Sequence, residues 1–500
     1  MMKNNIYRSA ALVTVFSTIE KTLSFIYRIV LSRTIGAEGV GIYQICLSVF
    51  AVFLTAASSG IPITVSRIMA KHSASGNIAA KHGAVSSGIA LTLMFTVPVA
   101  LVLFLAKNLY GFLFPDENCL NIFLWLLPGL ILTSVYAVMR GSFWGNKQFL
   151  SYSAIELAEN SVMVIVGCIL IGFAHTPEGG AEAAIIAVLV SYIFSFAASL
   201  IWYRVNGGKF VDPRPQLKPL LSSAMPITVM RTSTSLLNSV IAMFLPALLM
   251  SACGYTDSEA VALYGVVMGM SLPMLFTPNS LIGSIAVVVS PELSEDFYAD
   301  RKENLKRDIE RTLRASVLIA AVLIPVMFTL GETLGIFFFD NEFSGVIIRR
   351  FAFIMLPMSL SIISTTVLNS MNFEVKTLVH FFIGALVLLV CIFVLTPRIG
   401  IYAYMVGESL DFVVTAALNL RLLRKNCPDI NYAAYTLKSF IIAVVACLFG
   451  KLADNLLPVT FAPFARIIVS GGAVFLFACA AFFGMEMVTA KPLKKLFAKR

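Results

Sequence analysis

The chain has 500 residues, of which 58% are hydrophobic and 13% charged, and a formal net charge of +10. Soluble globular domains average about 25% charged residues, so a soluble class is excluded. Apolar stretches of about 18 or more residues recur along the whole length, without the roughly ten-residue alternation of outer-membrane strands. The sequence therefore predicts an all-α polytopic membrane protein.

Fourteen spans are predicted, at 9–32, 40–66, 83–106, 119–139, 153–173, 183–203, 220–250, 259–289, 312–338, 345–368, 377–396, 400–420, 434–456 and 464–488. Span 1 carries Glu20, Lys21 and Arg28. At about 100° per residue, Thr14, Ser17, Lys21, Ser24 and Arg28 share a stripe about 80° wide, with Glu20 and Tyr27 on its flank. A Lys or Arg at mid-bilayer costs about 3 kcal/mol on insertion scales, so the stripe implies a water-filled cavity or a partner. Glu156, Glu159 and Asn160 share one face near the start of span 5. They suit a solvated or interhelical polar face as well as a coupling-ion site. Span 7 has a second polar stripe of Thr228, Arg231, Ser235 and Asn238. Span 12 holds Glu408 and Asp411 at i and i+3, acids of a kind that carries protons or cations in transporters. Pro62, Pro226, Pro246, Pro273, Pro325 and Pro357 fall within spans and suit kinks.

With a cytoplasmic N-terminus, 27 of the 37 basic residues lie on the cytoplasmic side, 7 outside and 3 within spans. This bias predicts both termini inside a bacterial cytoplasmic membrane. Arg67, Arg140, the Arg301–Arg314 cluster and the tail from Lys491 to Arg500 then read as topology determinants and lipid anchors rather than a nucleic-acid surface. No cleavable signal is expected. The eight cysteines lack CxxC spacing, so neither a disulfide framework nor a metal site is expected.

The halves of the chain are weakly similar. Gly39-Val40-Gly41-Ile42-Tyr43 opens span 2, and Glu259-Ala260-Val261-Ala262-Leu263-Tyr264-Gly265 opens span 8, with Tyr43 and Tyr264 separated by 221 residues. Ile61 meets Ile282 at the same offset, and the first helices match at an offset of about 214, so that Ser17 and Lys21 meet Arg231 and Ser235. The repeat predicts two pseudo-symmetric six-helix lobes, 1–205 and 218–423, with two appended helices over 434–490.

Three stretches resemble the multidrug/oligosaccharidyl-lipid/polysaccharide flippase superfamily. They are Leu31-Ser32-Arg33-Thr34-Ile35-Gly36-Ala37-Glu38-Gly39-Val40-Gly41-Ile42-Tyr43-Gln44, Ser59-Gly60-Ile61-Pro62-Ile63-Thr64-Val65-Ser66-Arg67 and Arg140-Gly141-Ser142-Phe143-Trp144-Gly145. The likeness covers essentially the full chain and is greatest to the stage V sporulation protein B branch, which also contains polysaccharide exporters and is related to lipid II flippases. It implies an alternating-access carrier of a lipid-linked sugar, in cell-wall, polysaccharide or spore-cortex synthesis. In lipid II flippases basic residues of spans 1, 2 and 8 meet the diphosphate. Lys21 matches one of these positions; another is Tyr27 here, with Arg28 beside it. No basic residue occurs in Leu54 to Ser59, and the family's acidic ion site in spans 7 and 11 has no match. Span 7 has Arg231 instead, and span 11 has no acid after Glu374.

Lys21, Arg28 and Arg231, with Ser24, Ser235 and Asn238 beside them, are thus the expected substrate-binding set for a polyprenyl-diphosphate-linked sugar. A structural salt bridge from Glu20 to Lys21 or Arg28 is the competing explanation, and Glu20 itself suits either tuning of a cation or proton uptake. Glu408, Asp411, Glu156 and Glu159 are the coupling-ion candidates. No cofactor is expected and no phosphate loop for ATP is present; coupling to protons, sodium or the membrane potential stays open. Expected partners are the lipid-linked sugar, membrane lipids and cell-wall synthesis enzymes, with no nucleic acid; oligomeric state stays open. No loop exceeds about 25 residues, which disfavours a membrane glycosyltransferase or polymerase; the carrier that the resemblance implies works without bond chemistry, so no enzymatic role is expected. Rival readings are a drug/cation antiporter of the same superfamily and a non-transporting membrane scaffold for envelope assembly.

Overall fold

The computed structural model describes residues 2–74, 77–111, 114, 117–427, 430–458 and 461–485. The side chains of residues 2–14, 70, 74, 110, 226, 230, 278–280, 284, 287, 288 and 291 lie outside that description, Thr14 and Pro226 among them, as does the whole Lys491–Arg500 tail. All regular structure among the described residues is helical. Twelve helical stretches among the described residues are long and apolar enough to cross a membrane. The first of them, Val15–Ser73, holds two spans, because Gly36 breaks the helix with φ +67° and ψ −174°. Only glycine adopts that backbone freely. Adding Tyr402–Asn426, made more polar by Glu408 and Asp411, brings the number to the fourteen expected. Large apolar side chains point outward along these helices, including Met94 (77% exposed), Leu386 (62%) and Leu476 (67%). Such residues on the outer face fit a bilayer and not water.

The chain forms two compact units, Met1–Gly265 and Val266–Arg500. The division falls inside span 8. The two lobes expected from the repeat are a division by sequence similarity and do not coincide with these packing units.

The first unit contains spans 1 to 7 and the start of span 8. Its helices approach closely wherever glycines face a neighbour's backbone. A Cβ on Gly41 would strike the backbone of Val261, and one on Gly265 would strike Ala37 and Gly41. The paired segments of the repeat therefore cross each other directly, and Tyr43 and Tyr264 are both buried there. Gly60, at a bend in span 2, lies against Ala224 of span 7, and its N–H donates to Thr228 Oγ1 at 3.2 Å. Without hydrophobic drive between helices in lipid, close van der Waals packing of this kind holds a bundle together. Ile61, Val65, Met69, Ala84, Val138, Phe143 and Leu220 join spans 2, 3, 4 and 7 in an apolar core.

The second unit carries the rest of span 8, ending in Pro278–Tyr298, and spans 9 to 14. The helix Lys302–Phe339 contains Pro325 and is followed by an amphipathic helix, Glu342–Arg350, where span 10 was expected to begin. Gly331 and Gly345 let these two pack backbone to backbone, and Arg349 pairs with Glu332 at 2.6 Å. The membrane helix of span 10 starts later, at Ala352. Leu293, Ile309, Leu313, Ile363, Val367 and Leu423 form this unit's main core.

Candidate functional site

Within the first unit, a cavity of about 650 Å³ lies among spans 1, 2, 4, 5, 6 and 7. That volume falls in the usual range of ligand sites, about 300–1,000 Å³. Its charged lining is Glu20 from span 1, Arg140 from span 4, Glu156 and Glu159 from span 5, and Arg231 from span 7. Ser235 and Asn238 line it one and two turns beyond Arg231, and Tyr43, Tyr136 and Tyr192 supply aromatic walls. Six of the eleven residues expected at the site are thus brought together: Glu20, Glu156, Glu159, Arg231, Ser235 and Asn238.

Span 1 packs on span 5, which decides which way its polar stripe turns. Tyr27 is buried against Gly167, where any Cβ would strike the tyrosine ring. Asn160 Nδ2 donates to Ser24 Oγ at 2.8 Å and reaches the Glu20 carbonyl at 3.4 Å. With that rotation Glu20 faces the cavity, Ser24 is taken up by span 5, and Lys21 is exposed beside Glu20 without lining the cavity. Arg28 is half-buried next to Tyr43 and does not line it either. A cysteine at Asn238, in a chain freed of its own cysteines, should therefore react readily with a water-soluble maleimide. One at Ser24 should react at least about tenfold more slowly, as expected when labelling requires a local opening of roughly 1.4 kcal/mol or more. Equal rates measured by gel shift would contradict this arrangement.

Arg140, read from the sequence as a topology determinant and lipid anchor, also lines the cavity. The helix of span 4 runs on to Gly145, six residues beyond the expected end at 139. Arg140 therefore stands on a helical wall of the cavity. Its guanidinium meets Glu156 at 3.8 Å and lies over the Trp144 ring, 5.5 Å from its centroid. Gly141 and Gly145 of the same motif press on span 2: a Cβ at Gly141 would sit 2.8 Å from Pro62 Cα, and one at Gly145 would sit 2.8 Å from Met69 Cβ. The glycines seat span 4 on span 2, and the arginine between these contacts and the cavity is positioned by them. The signal for it was present in the sequence as the Arg-Gly-x-x-x-Gly pattern.

Four side chains lining the cavity have a buried polar atom with no hydrogen-bond partner: Ser59 Oγ, Tyr136 Oη, Arg140 Nε and Asn160 Oδ1. Buried polar groups are nearly always satisfied, by protein, water or ligand. In this conformation these four atoms have almost no accessible surface, so they lie behind the cavity lining rather than on its open face.

Glu408 and Asp411 lie in the second unit. Asp411 is buried against Gly384 of span 11 and accepts from Thr415 Oγ1 at 3.0 Å, and Glu408 has Tyr404 within hydrogen-bonding reach. Two turns beyond Asp411 on the same helix, Asn419 joins His380 at 2.8 Å and donates to Thr365 Oγ1 at 2.8 Å. No group of three or more His, Cys, Asp or Glu able to hold a metal ion occurs among the described residues.

Comparison with known proteins places this architecture. The model of the polysaccharide biosynthesis protein family matches residues 6–296, more than half of the chain. The chain belongs to the polysaccharide biosynthesis protein family. It is 22% identical to stage V sporulation protein B of Bacillus subtilis (strain 168) over 463 residues, covering 89% of this chain and 88% of the relative. Among solved structures, lipid II flippase MurJ in an inward closed conformation superposes with a TM-score of 0.74 at 15% identity, over 96% of this chain and 100% of that one. A multidrug resistance MATE family transporter in an inward-facing conformation gives a TM-score of 0.66 at 14% identity, over 82% of this chain and 95% of that one. The family member described here therefore shares the fold of the multidrug and lipid-flippase superfamily, as its motifs led one to expect.

Proposed function

We propose that this protein is a flippase that carries a polyprenyl-diphosphate-linked sugar across a bacterial cytoplasmic membrane by alternating access, without bond chemistry. The observation that carries this reading is the cavity in the first unit, which holds an arginine with no carboxylate partner. Arg231 has no ion pair among the described residues, yet it lines a cavity within a chain whose helices otherwise present apolar faces. An exposed guanidinium with no carboxylate partner is available to form bidentate, charge-assisted hydrogen bonds with a phosphate-bearing headgroup. Membership of a polysaccharide biosynthesis family supports a sugar on that headgroup, and likeness to a lipid II flippase supports a lipid carrier. In this reading Arg231, Ser235 and Asn238 contact the headgroup, Lys21 and Arg28 guide it from beside the cavity, and the polyprenyl tail stays in the bilayer. The two six-helix lobes, 1–205 and 218–423, would rock about it, with 434–490 appended and both termini cytoplasmic. Glu20, Glu156 and Glu159 in the first unit, and Glu408 and Asp411 in the second, are the candidates for proton or sodium coupling. Enzymes that build and polymerise the sugar are the natural partners.

A second reading, a drug/cation antiporter, draws support from the three carboxylates that outnumber the two arginines in the cavity. One experiment separates the two. Depleting the protein should cause a lipid-linked sugar to accumulate on the cytoplasmic face of the membrane, detected by mass spectrometry of lipids protected from external hydrolase. Unchanged lipid-linked pools together with increased sensitivity to organic cations would replace the flippase reading with the antiporter one.

A further inference from the structure

Tyr136 and Arg140 both line the cavity, one helical turn apart on the same face of span 4, and the Arg140 side chain is 31% exposed; Tyr136 Oη and Arg140 Nε have no hydrogen-bond partner among the described residues. Both are donors. Tyr136 is 4% exposed, so water at the protein surface does not satisfy its hydroxyl. Among the described residues the one carboxylate paired with Arg140 is Glu156, and at 3.8 Å that contact is too long for a good hydrogen bond. Glu156 has an alternative partner, since Tyr152 is within hydrogen-bonding reach of it. The arginine is held on its other side by the Trp144 ring, which keeps the guanidinium oriented without consuming any of its N–H groups.

We propose that Tyr136 and Arg140 form a second anion-binding arm of the cavity, which joins Arg231 in gripping a diphosphate, and that Glu156 occupies Arg140 only until the anion displaces it. The inference rests on the anionic-headgroup reading given above and adds to it a second helix and a competitor. Three carboxylates, Glu20, Glu156 and Glu159, share the cavity with the incoming anion and repel it. A second cationic arm reduces that repulsion, which gives span 4 its role. Arg–carboxylate and Arg–phosphate pairs use the same fork of donors, so the two cannot be fully formed at once.

The test uses the full-length chain in detergent, with Trp144 fluorescence as reporter and Trp144→Phe as its control. The probes are inorganic pyrophosphate and undecaprenyl diphosphate, which carry the same group free and lipid-linked. Arg140→Gln is expected to weaken binding at least about tenfold and Tyr136→Phe about threefold, the difference between a charged and a neutral donor. Glu156→Gln should tighten binding about threefold or more, a gain that misfolding cannot produce. The Arg140→Gln/Glu156→Gln double variant should bind no better than Arg140→Gln alone, since the competitor acts only through Arg140. Wild-type affinity in both Arg140→Gln and Glu156→Gln, with loss in Arg231→Gln, would overturn the span 4 arm and leave the headgroup reading standing. No saturable binding of either probe to the wild-type chain would overturn both. Tighter binding of undecaprenyl diphosphate than of pyrophosphate identifies the lipid-linked source; equal affinity identifies the diphosphate alone as the recognised group.

Discussion

Arg231→Ala is expected to abolish rescue of a flippase-deficient strain while leaving the amount of protein in the membrane unchanged. The guanidinium lines the cavity and has no ion pair among the described residues, so its removal breaks no structural contact of that kind. It takes away a cation whose charge-assisted hydrogen bonds to a phosphate are worth about 1.5–3 kcal/mol each, or roughly ten- to more than a hundredfold in affinity. Arg231→Lys should recover part of the activity, because a lysine keeps the charge but loses the bidentate fork. The checks are colony formation on depletion of the native flippase and an immunoblot of the membrane fraction. Full rescue by Arg231→Ala at normal abundance would sink the anionic-headgroup reading.

The second large effect concerns packing. Gly141→Ala should lower the thermal midpoint of the detergent-solubilised protein by several degrees, and Gly141→Leu should leave little folded protein to measure. A Cβ at this position would sit 2.5 Å from the Pro62 carbonyl oxygen and 2.8 Å from its Cα. These are backbone atoms of a neighbouring helix and cannot rotate aside, so spans 2 and 4 must separate. Overpacking of a tight site costs about 1–3 kcal/mol even where side chains can adjust, and helix association in lipid depends on this close approach. Gly484→Ala is the control, with nothing within 4 Å of its added Cβ. Equal midpoints for the two variants, measured by the temperature dependence of monodisperse elution, would show that the span 2–span 4 crossing is looser than described.

Much of the fold was legible in the sequence because hydropathy over about 20 residues is a direct physical requirement of the bilayer. Where it misjudged an end, polar residues were the reason. Arg140 marks the expected end of span 4 by its charge, yet the helix continues to Gly145, with Gly141 and Gly145 packed on span 2. Span 10 was placed seven residues early because Glu342–Arg350 is apolar on one face only, a pattern that a mean over the whole segment does not separate from a span. The candidate site was legible in kind and only partly in detail. Glu156, Glu159 and Asn160 follow helical spacing and do share the cavity. In span 1, Glu20 and Lys21 are adjacent, and helical periodicity alone cannot say which of them turns inward. The answer comes from Tyr27 wedged against Gly167, a contact 140 residues apart in the chain. That rotation turns Glu20 inward and leaves Lys21 exposed outside the lining.

Every wall of the cavity, from Glu20 to Asn238, belongs to the compact unit that closes at Gly265. The remaining 235 residues follow it out of the ribosome, which takes roughly ten to fifty seconds at about 5–20 residues per second. During that interval every residue of the cavity lining has been made, while the second unit has not. The first unit's glycine-seated helix crossings, Gly41 on Val261 and Gly265 on Ala37, close just as its last residues are inserted. The birth order of the chain thus gives the chamber's own packing contacts the first opportunity to form.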